Sequence, residues 1–200
     1  MMCSNSNEIQ TNIFEYIDVE LPQSINEING QKLLHIGDTE SCQFPYYKKI
    51  IEMVRPNIIL HTGDMVDELK VGRISGLEKE YFSKLKILAD IMISSGARLI
   101  IVPGNNDISE YITQLFPNAE IFNENSVVNI DGVECRIGHQ STNMTFDKEW
   151  NFYGHTIRKG EWDYEMNKSG NKRLFNARKD SYVCSIKEGI FDVIKLPKIN

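Results

Sequence analysis

Residues 59–67 read ILHTGDMVD, and this stretch decides the fold. An apolar run of the kind found in a buried strand ends in a glycine that is followed by two aspartates, Asp64 and Asp67. Gly and Asp are common in turns, so a single Gly-Asp pair would indicate only the end of a strand. The arrangement recurs, however, in QKLLHIGD at 31–38 and in ARLIIVPGNND at 97–107. Polar residues therefore follow three successive apolar runs.

Two helical patterns separate these three runs. The first is PYYKKIIEMVR at 45–55, which begins with proline, a residue favoured in the first turn of a helix. The second is an apolar face with spacings of three and four residues, formed by Leu77, Tyr81, Leu85, Leu88 and Met92. Strands joined by helical crossovers pair in parallel, and parallel sheets bind ligands outside the carboxyl ends of their strands. We therefore expect the three polar ends to meet at one edge of a sheet.

The second half of the chain is expected to be more antiparallel. A short helix is predicted over 108–117, and hairpins are predicted over 126–138 and 181–197, each with a glycine in its turn. Between the hairpins, two runs end in Gly-His, at His139 and His155. These histidines would also follow strands.

Composition predicts one globular domain. The chain has 200 residues, of which 41% are apolar and 25% charged, and its core is expected over about 31–196. Residues 1–10 are expected to be disordered, and 12–21 has the rough alternation of an edge strand. No apolar run reaches the roughly 20 residues that span a bilayer, and the N-terminus does not resemble a signal peptide. A soluble, cytoplasmic protein is expected, without membrane association.

Charge and cysteine content exclude several classes of function. A net charge of −6 gives no general attraction to phosphate backbones, so non-specific binding to duplex nucleic acid is not expected. The four cysteines form no CxxC pair, which argues against a zinc ribbon or a disulfide framework and favours free thiols. A small anionic substrate would need local positive charge, which a metal can supply.

Metal-binding side chains collect at the predicted strand ends. They are Asp38, Glu40, Asp64, Asp67, Asn105, Asn106, Asp107, His139 and His155. Carboxylates, amide oxygens and imidazoles together suit Mn, Fe, Zn or Ni. Because so many carboxylates in one crevice would repel each other without a cation, the sequence predicts a metal site.

Five motifs in order resemble those of the calcineurin-like metallophosphoesterases. They are GD at 37–38, GDMVD at 63–67, GNND at 104–107, GH at 138–139 and GHT at 154–156. The resemblance covers about residues 31–196 and implies a four-layer α/β sandwich of two mixed β-sheets flanked by helices. It also implies hydrolysis of a phosphodiester or a small phosphorylated substrate by a hydroxide held between two metal ions.

The resemblance assigns metal ligands residue by residue. Asp64 would bridge the two ions, and Asp38 would hold the first. The second would be completed by Asn105, His139 and His155. Mn²⁺ is the expected cofactor, with Ni²⁺, Fe²⁺, Zn²⁺ and Mg²⁺ as alternatives.

Three further residues are expected to serve catalysis without binding metal. Asp67 and Asp107 would orient the site, and Asn106 would face the substrate where many family members have a histidine. An asparagine cannot act as a general acid at pH 7. This difference favours substrates with good leaving groups, such as diesters.

Two departures from the family pattern weaken the first metal site. Glu40 stands where a histidine ligand is expected, and Ile157 replaces another. Glu40 can still ligate through oxygen, whereas Ile157 cannot. The first site is therefore expected to be rich in oxygen and biased towards Mn²⁺ or Mg²⁺ over Zn²⁺.

The same departures keep a second hypothesis open. A fold of this family with an impaired site would act as a non-enzymatic module that binds a partner protein, as the retromer subunit of this fold does.

Two smaller expectations concern the surroundings of the site. His35 and His61 lie within strands and are interpreted as packed. The basic stretch 167–179 is interpreted as a solvated loop, with a phosphate-attracting rim near the site as the alternative.

Overall fold

A computed structural model describes residues 19–155, 164–166, 172–178 and 180–195. Its helices and strands, in chain order, are β1 (Leu33–Ile36), α1 (Phe44–Val54), β2 (Ile58–His61), α2 (Glu78–Ser94), β3 (Arg98–Ile101), α3 (Ser109–Leu115), β4 (Glu120–Ile121), β5 (Ser126–Ile130), β6 (Val133–Ile137), β7 (Trp150–Tyr153), β8 (Tyr164–Met166), β9 (Arg173–Asn176), β10 (Asp180–Ser185) and β11 (Ile190–Lys195). Short 3-10 helices lie at Gln23–Glu27, Ser41–Gln43, Asp67–Leu69 and Ser141–Asn143.

The strands form two mixed sheets. The first has the order β11-β10-β1-β2-β3-β4, with β1 to β4 parallel and β10 antiparallel to both β1 and β11. The second has the order β5-β6-β7-β9-β8, with β6, β7 and β9 parallel and an antiparallel strand at each edge. The predicted fold class, two mixed β-sheets flanked by helices, is confirmed.

Two apolar layers hold these elements together. Between the sheets, aromatic and aliphatic side chains such as Leu60, Phe152 and Phe175 are fully buried. On the other face of the first sheet, Leu34 and Ile59 pack against the three helices. Successive residues of a strand point to opposite faces, so each of these short strands contributes side chains to both apolar layers. This explains why their sequences are continuous apolar runs.

The helices match their predicted faces. In α2, the predicted apolar positions from Tyr81 to Met92 are buried against the first sheet, and Leu77 lies just before the helix. Helix α1 ends at Val54, and the next residue, Arg55, adopts a left-handed conformation with φ of 50°. The chain then enters β2 after only three residues. This short connection places the carboxyl ends of β1 and β2 side by side.

The second half of the chain contains a feature that periodicity does not reveal. Both predicted hairpins form, and β5 and β6 are joined by Asp131 and Gly132 with φ of 52° and 85°. The hairpin of β10 and β11, however, joins the first sheet beside β1 rather than the second sheet. Strand β1 is therefore an interior strand.

The basic stretch 167–179 is not the solvated loop that its composition predicts, at least where it is described. Residues 173–176 form β9, and Phe175 is fully buried. The Arg173 guanidinium lies 4.3 Å from the centre of the Trp150 ring, so its charge is accommodated over an aromatic face. The predicted disorder of residues 1–10 and most of the predicted edge strand at 12–21 lie outside the described residues.

Across the described parts of the chain, no helix is both long enough and apolar enough to cross a bilayer.

Candidate metal centre

The site lies where the two sheets meet. Parallel pairing of β1, β2 and β3 brings the segments after their carboxyl ends to one edge, as expected for such a sheet. The second sheet contributes the segments after β6 and β7, and Gln140 and His155 form a parallel bridge there. Five motifs that are far apart in the sequence therefore converge.

Four of the predicted ligands form one cluster. Asp38, Asp64, His139 and His155 offer ligand atoms that all lie within 4.8 Å of one another. His139 Nε2 is 3.5 Å from Asp64 Oδ1, and His155 Nδ1 is 3.1 Å from Asp38 Oδ2. Two carboxylates and two imidazoles suit a divalent transition metal.

The two aspartates share an unusual backbone conformation. Asp38 and Asp64 have φ of 46° and 55°, in the left-handed region that non-glycine residues rarely adopt. Gly63, which precedes Asp64, has φ of 95°. Such conformations cost on the order of 1–3 kcal/mol each and persist where the surrounding structure enforces them. Here they turn each carboxylate towards the edge of the sheet.

Asn106 holds the carboxylate of Asp64 on both oxygens. The Asn106 backbone N–H donates to Oδ1 at 2.9 Å, and its side-chain amide donates to Oδ2 at 2.8 Å. This approach requires a glycine two residues earlier, because a Cβ on Gly104 would lie 2.2 Å from Asp64 Oδ1. The orientation of Asp64 is thus set before any ion binds.

Asp107 fixes the backbone around Asp64. Its carboxylate accepts the N–H groups of Asp64, Met65 and Gly104 at 2.8, 2.9 and 2.7 Å. It also accepts the hydroxyl of Tyr81 at 2.8 Å. With its oxygens occupied in this way, Asp107 is a positioning residue. The apolar spacing of α2 marked Tyr81 only as a buried position and gave no sign of this bond.

Asp67 has a supporting position. Its Oδ1 accepts from the Asn106 amide at 3.2 Å, and Lys70 forms an ion pair with it. Burial alone would raise the pKa of Asp67, but the hydrogen bonds with Lys70, Asp64 and Asn106 and the charge of Lys70 together lower it below its usual value. Burial raises the pKa of neighbouring Asp64 to about 7 in the absence of metal. A cation beside Asp64 would reverse that shift, because it favours the ionised form.

His139 presents a lone pair to the site. Its Nδ1 lies 2.7 Å from the carbonyl oxygen of Thr62, an arrangement that assigns the proton to Nδ1. Its Nε2 lies 3.1 Å from Asn105 Oδ1, and Gln140 donates to that same oxygen at 2.9 Å. Two electron-rich atoms therefore face each other. A positive species between them would satisfy both, which fits a metal ion.

Glu124 supports His139 from behind. Its carboxylate accepts the backbone N–H of His139 at 3.0 Å to each oxygen, and that of Gln140 at 2.9 Å. The side chain thereby holds the turn after β6. The sequence reasoning missed both residues. Gln140 adjoins a predicted ligand, whereas Glu124 lies in a connection between strands and carries no motif.

Asp38 is the least satisfied of the four clustered residues. Its Oδ1 is buried and has no hydrogen-bond partner among the residues that the structure describes, and its Oδ2 faces His155. Burial raises the pKa of Asp38, against the hydrogen bond from His155. A buried carboxylate oxygen without a partner is costly, and a bound cation would remove that cost. The donor set therefore fits a metal at this point too.

Glu40 does not reach the cluster. It is exposed, lies just before the 3-10 helix Ser41–Gln43, and accepts a hydrogen bond from the Cys42 thiol at 3.6 Å. Ile157 lies outside the described residues. The structure thus brings together Asp38, Asp64, His139 and His155, with Asn105 adjoining, and leaves Glu40 outside.

Two buried histidines lie behind the site, in agreement with their interpretation as packed residues. His35 Nε2 is 2.9 Å from the Thr62 hydroxyl, and His61 Nδ1 accepts the N–H of Gly63 at 3.1 Å. Burial lowers the pKa of His61 to about 3, so it is neutral. The Thr39 hydroxyl, 3.3 Å from His61 Nε2, donates to the Met65 carbonyl at 2.7 Å. The residues on both sides of Asp64 are therefore anchored in the core.

Comparison with solved structures finds distant similarity. One match is a protein of unknown function, AQ665 from Aquifex aeolicus, with 15% identity over 74% of this chain and 90% of that chain, at a TM-score of 0.41. Another is Yfce, a phosphoesterase from E. coli, with 13% identity over 84% of this chain and 100% of that chain, at a TM-score of 0.46. Comparison with curated protein sequences gave no match.

Comparison with protein families gives a match over most of the chain. The matching family is described as calcineurin-like phosphoesterase, and it aligns with residues 31–188. That range contains all five motifs and every residue of the cluster. The chain belongs to the calcineurin-like phosphoesterase family.

Proposed function

We propose that this protein is a metal-dependent phosphoesterase that hydrolyses a phosphodiester or another small phosphorylated substrate. The observation that carries the proposal is the cluster of Asp38, Asp64, His139 and His155, with ligand atoms within 4.8 Å of one another. Family membership supports the same chemistry.

The proposed ligand sets follow the donors on each side. Asp64, Asn105, His139 and His155 would hold one ion, and Asp38 with Asp64 would hold a second more weakly. Bound divalent ions supply Lewis acidity, which polarises a phosphoryl group and lowers the pKa of a water molecule. Mn²⁺ suits the mixture of oxygen and nitrogen donors, with Ni²⁺, Fe²⁺, Zn²⁺ and Mg²⁺ as alternatives.

Among the described residues, proton donors are scarce beside the cluster, which argues for a diester. Asn106 is an amide that already donates to Asp64 and Asp67, and it has no acidic proton to transfer. Asp67 is held in its carboxylate form by Lys70. A leaving group that departs without protonation is therefore favoured, such as the stabilised alcohol of an activated diester.

The test combines metal binding with hydrolysis. Chelator-treated protein is titrated with Mn²⁺, and hydrolysis of bis-p-nitrophenyl phosphate is compared with that of p-nitrophenyl phosphate. Asp64→Ala should abolish Mn²⁺-dependent hydrolysis and weaken Mn²⁺ binding. The matched control is Asp90→Ala, which removes an exposed carboxylate on α2 and should change neither.

Two results would contradict the proposal. One is a chain that binds no Mn²⁺ at millimolar concentration. The other is hydrolysis that survives Asp64→Ala at the rate of the Asp90→Ala control. Equal or better hydrolysis of the monoester would overturn the diester preference alone.

One observation favours a second candidate, the non-enzymatic module. Glu40 is exposed and outside the cluster, so the first ion has fewer ligands than the full family pattern supplies. Under this alternative the site would bind a partner protein and the chain would show no Mn²⁺-dependent hydrolysis. The cytoplasmic location, the single-domain organisation and the lack of duplex binding stay predictions.

A further inference from the structure

The side-chain amide of Asn105 lies at the edge of the metal centre with its oxygen towards His139. Asn105 Oδ1 is 3.1 Å from His139 Nε2, the ring nitrogen that carries no proton because Nδ1 donates to the Thr62 carbonyl. Asn105 is exposed, so close packing does not decide which end of its amide faces the ring. A half-turn of the amide would bring Nδ2 to that position, where it would donate to His139 Nε2. That orientation would withdraw two ligand atoms from the site.

Gln140 favours the orientation that serves a metal ion. Its Nε2 donates to Asn105 Oδ1 at 2.9 Å. If the Asn105 amide turned over, this donor would face the Asn105 NH₂ group, and two donors cannot bond to each other. A carbonyl oxygen has two lone pairs, so Asn105 Oδ1 can accept from Gln140 and still offer the other lone pair to an ion.

Gln140 is itself held in place. Its backbone N–H donates to Glu124 Oε1 at 2.9 Å, and its carbonyl accepts the N–H of Asn143 at 3.0 Å. The Asn143 side-chain amide donates to Gln140 Oε1 at 3.4 Å, which leaves the nitrogen end of the Gln140 amide for Asn105. The parallel bridge to His155 fixes the same residue from the other side. An ordered series of amides therefore runs from Asn143 through Gln140 to Asn105.

We propose that Gln140 is a positioning residue of the metal centre, whose amide holds Asn105 with its oxygen towards the more fully liganded ion. This inference rests on the metal binding that the proposed phosphoesterase function requires. Gln140 acts through Asn105 and does not contact the ion. The role is additional to the five motifs, because the fourth of them ends at His139.

The loss of this donor should weaken metal binding in a specific way. Without Gln140, the Asn105 amide of the metal-free protein is free to turn over and donate to His139 Nε2. An ion would then have to break that hydrogen bond before it gained either ligand. Groups that hydrogen-bond to metal ligands typically change metal affinity by about tenfold to a hundredfold when they are removed.

A double-mutant cycle tests the role by calorimetric titration of chelator-treated protein with Mn²⁺. Gln140→Met removes the donor and keeps a side chain of similar length. Asn105→Asp supplies a carboxylate, whose two oxygens are equivalent, so its orientation needs no donor. Gln140→Met should weaken the tighter Mn²⁺ site by about tenfold to a hundredfold when Asn105 is present, and by less than about twofold in the Asn105→Asp background.

The matched control is Gln114→Met, which removes an exposed glutamine of α3 and should bind Mn²⁺ like the wild type. Equal losses from Gln140→Met in both backgrounds would overturn the inference, because they would mean that Gln140 supports the turn after β6 and not the Asn105 amide. Unchanged Mn²⁺ affinity in Gln140→Met would overturn it as well. The absence of Mn²⁺ binding by the wild type is a different result, which would overturn the metal-dependent function and this inference with it.

Discussion

Asp38 and Asp64 occupy equivalent places in the fold but have different surroundings. Each follows a glycine after a strand of the first sheet, adopts a left-handed conformation and is buried. Asp64 receives hydrogen bonds on both oxygens from Asn106. Within the described parts of the chain, one Asp38 oxygen has no hydrogen-bond partner, and the groups near the other are the His155 ring and the Arg178 guanidinium.

The comparison distinguishes a carboxylate that the protein already orients, that of Asp64, from one that it leaves partly without hydrogen bonds, that of Asp38. Asp64 is held in place by neutral donors, so the free-energy cost of ordering this ligand when an ion binds is small. Among the described residues, the side chains nearest the Asp38 carboxylate belong to His139, His155 and Arg178, which are, or can become, positive. The Asp64 side of the site therefore owes its geometry to the protein, and the Asp38 side depends on a cation.

The largest effect should come from neutralising the two aspartates in turn. Asp64→Asn should weaken Mn²⁺ binding by about a thousandfold, or about 4 kcal/mol, because it removes the charge around which the other ligands are arranged. Asp38→Asn should cost about tenfold, since Asp64 keeps the orientation that Asn106 gives it. Calorimetric titration of the two chelator-treated variants checks the ranking. Equal losses would mean that the two sides are equivalent and would remove the basis of the comparison.

A smaller effect, on the stability of the fold, is expected from adding a side-chain atom next to Asp64. Gly104→Ala would place a Cβ 2.2 Å from Asp64 Oδ1 and 2.5 Å from its backbone nitrogen. Denaturant unfolding should show a loss of about 3 kcal/mol, at the upper end of the cost of overpacking. The control is Gly30→Ala, whose nearest neighbour is the flexible end of Glu188 at 3.2 Å, and it should lose less than about 1 kcal/mol. Similar losses in both variants would show that the Asp64 turn yields easily.

The smallest effect should appear in the pH dependence of stability. His61 accepts the N–H of Gly63 only while it is neutral, and burial lowers its pKa to about 3. Because the unfolded chain takes up a proton near pH 6.5 and the folded chain does not, stability from this group is complete above pH 6.5. It is lost as the pH falls towards 3, at about 1.4 kcal/mol per pH unit.

His61→Asn isolates this contribution, since the asparagine Oδ1 can accept the same N–H without titrating. Between pH 5.5 and 4.5, the free energy of unfolding should fall less steeply in the variant by about 1.4 kcal/mol per pH unit, as measured in urea. An unchanged slope would mean that the anchoring of the Asp64 turn does not depend on a neutral His61.

The sequence predicted the surroundings of Asp64 better than those of Asp38. The contacts of Asp64 with Asn106 and Asp107 follow from parallel strands whose ends must share an edge, and short apolar runs with polar ends predict that arrangement. The prediction that Glu40 binds the first ion was wrong, because it relied only on the two-residue spacing from Asp38. The left-handed turn at Asp38 and the 3-10 helix at Ser41 direct its side chain to the surface.

The spacing of apolar residues did not predict the contacts between the two halves of the chain. Arg178 lies in a stretch whose basic composition indicated a solvated loop, and its nearness to Asp38 depends on the pairing of β7 with β9. Glu124 binds the His139 backbone from a connection with no motif of its own. Such partners are set by tertiary placement, which a local pattern of apolar residues does not encode.

The position of β10 has a consequence for how the protein folds. Strand β1 pairs with β10 through contacts such as Leu33 with Cys184, which are separated by most of the chain. Contacts at such separation form slowly, because a long loop must close first. During synthesis the strand that leads to Asp38 therefore keeps an open edge until β10 emerges, and an unpaired interior strand is prone to pair with other chains. The Asp64 side can assemble early, whereas the Asp38 side is completed only when the last hairpin arrives.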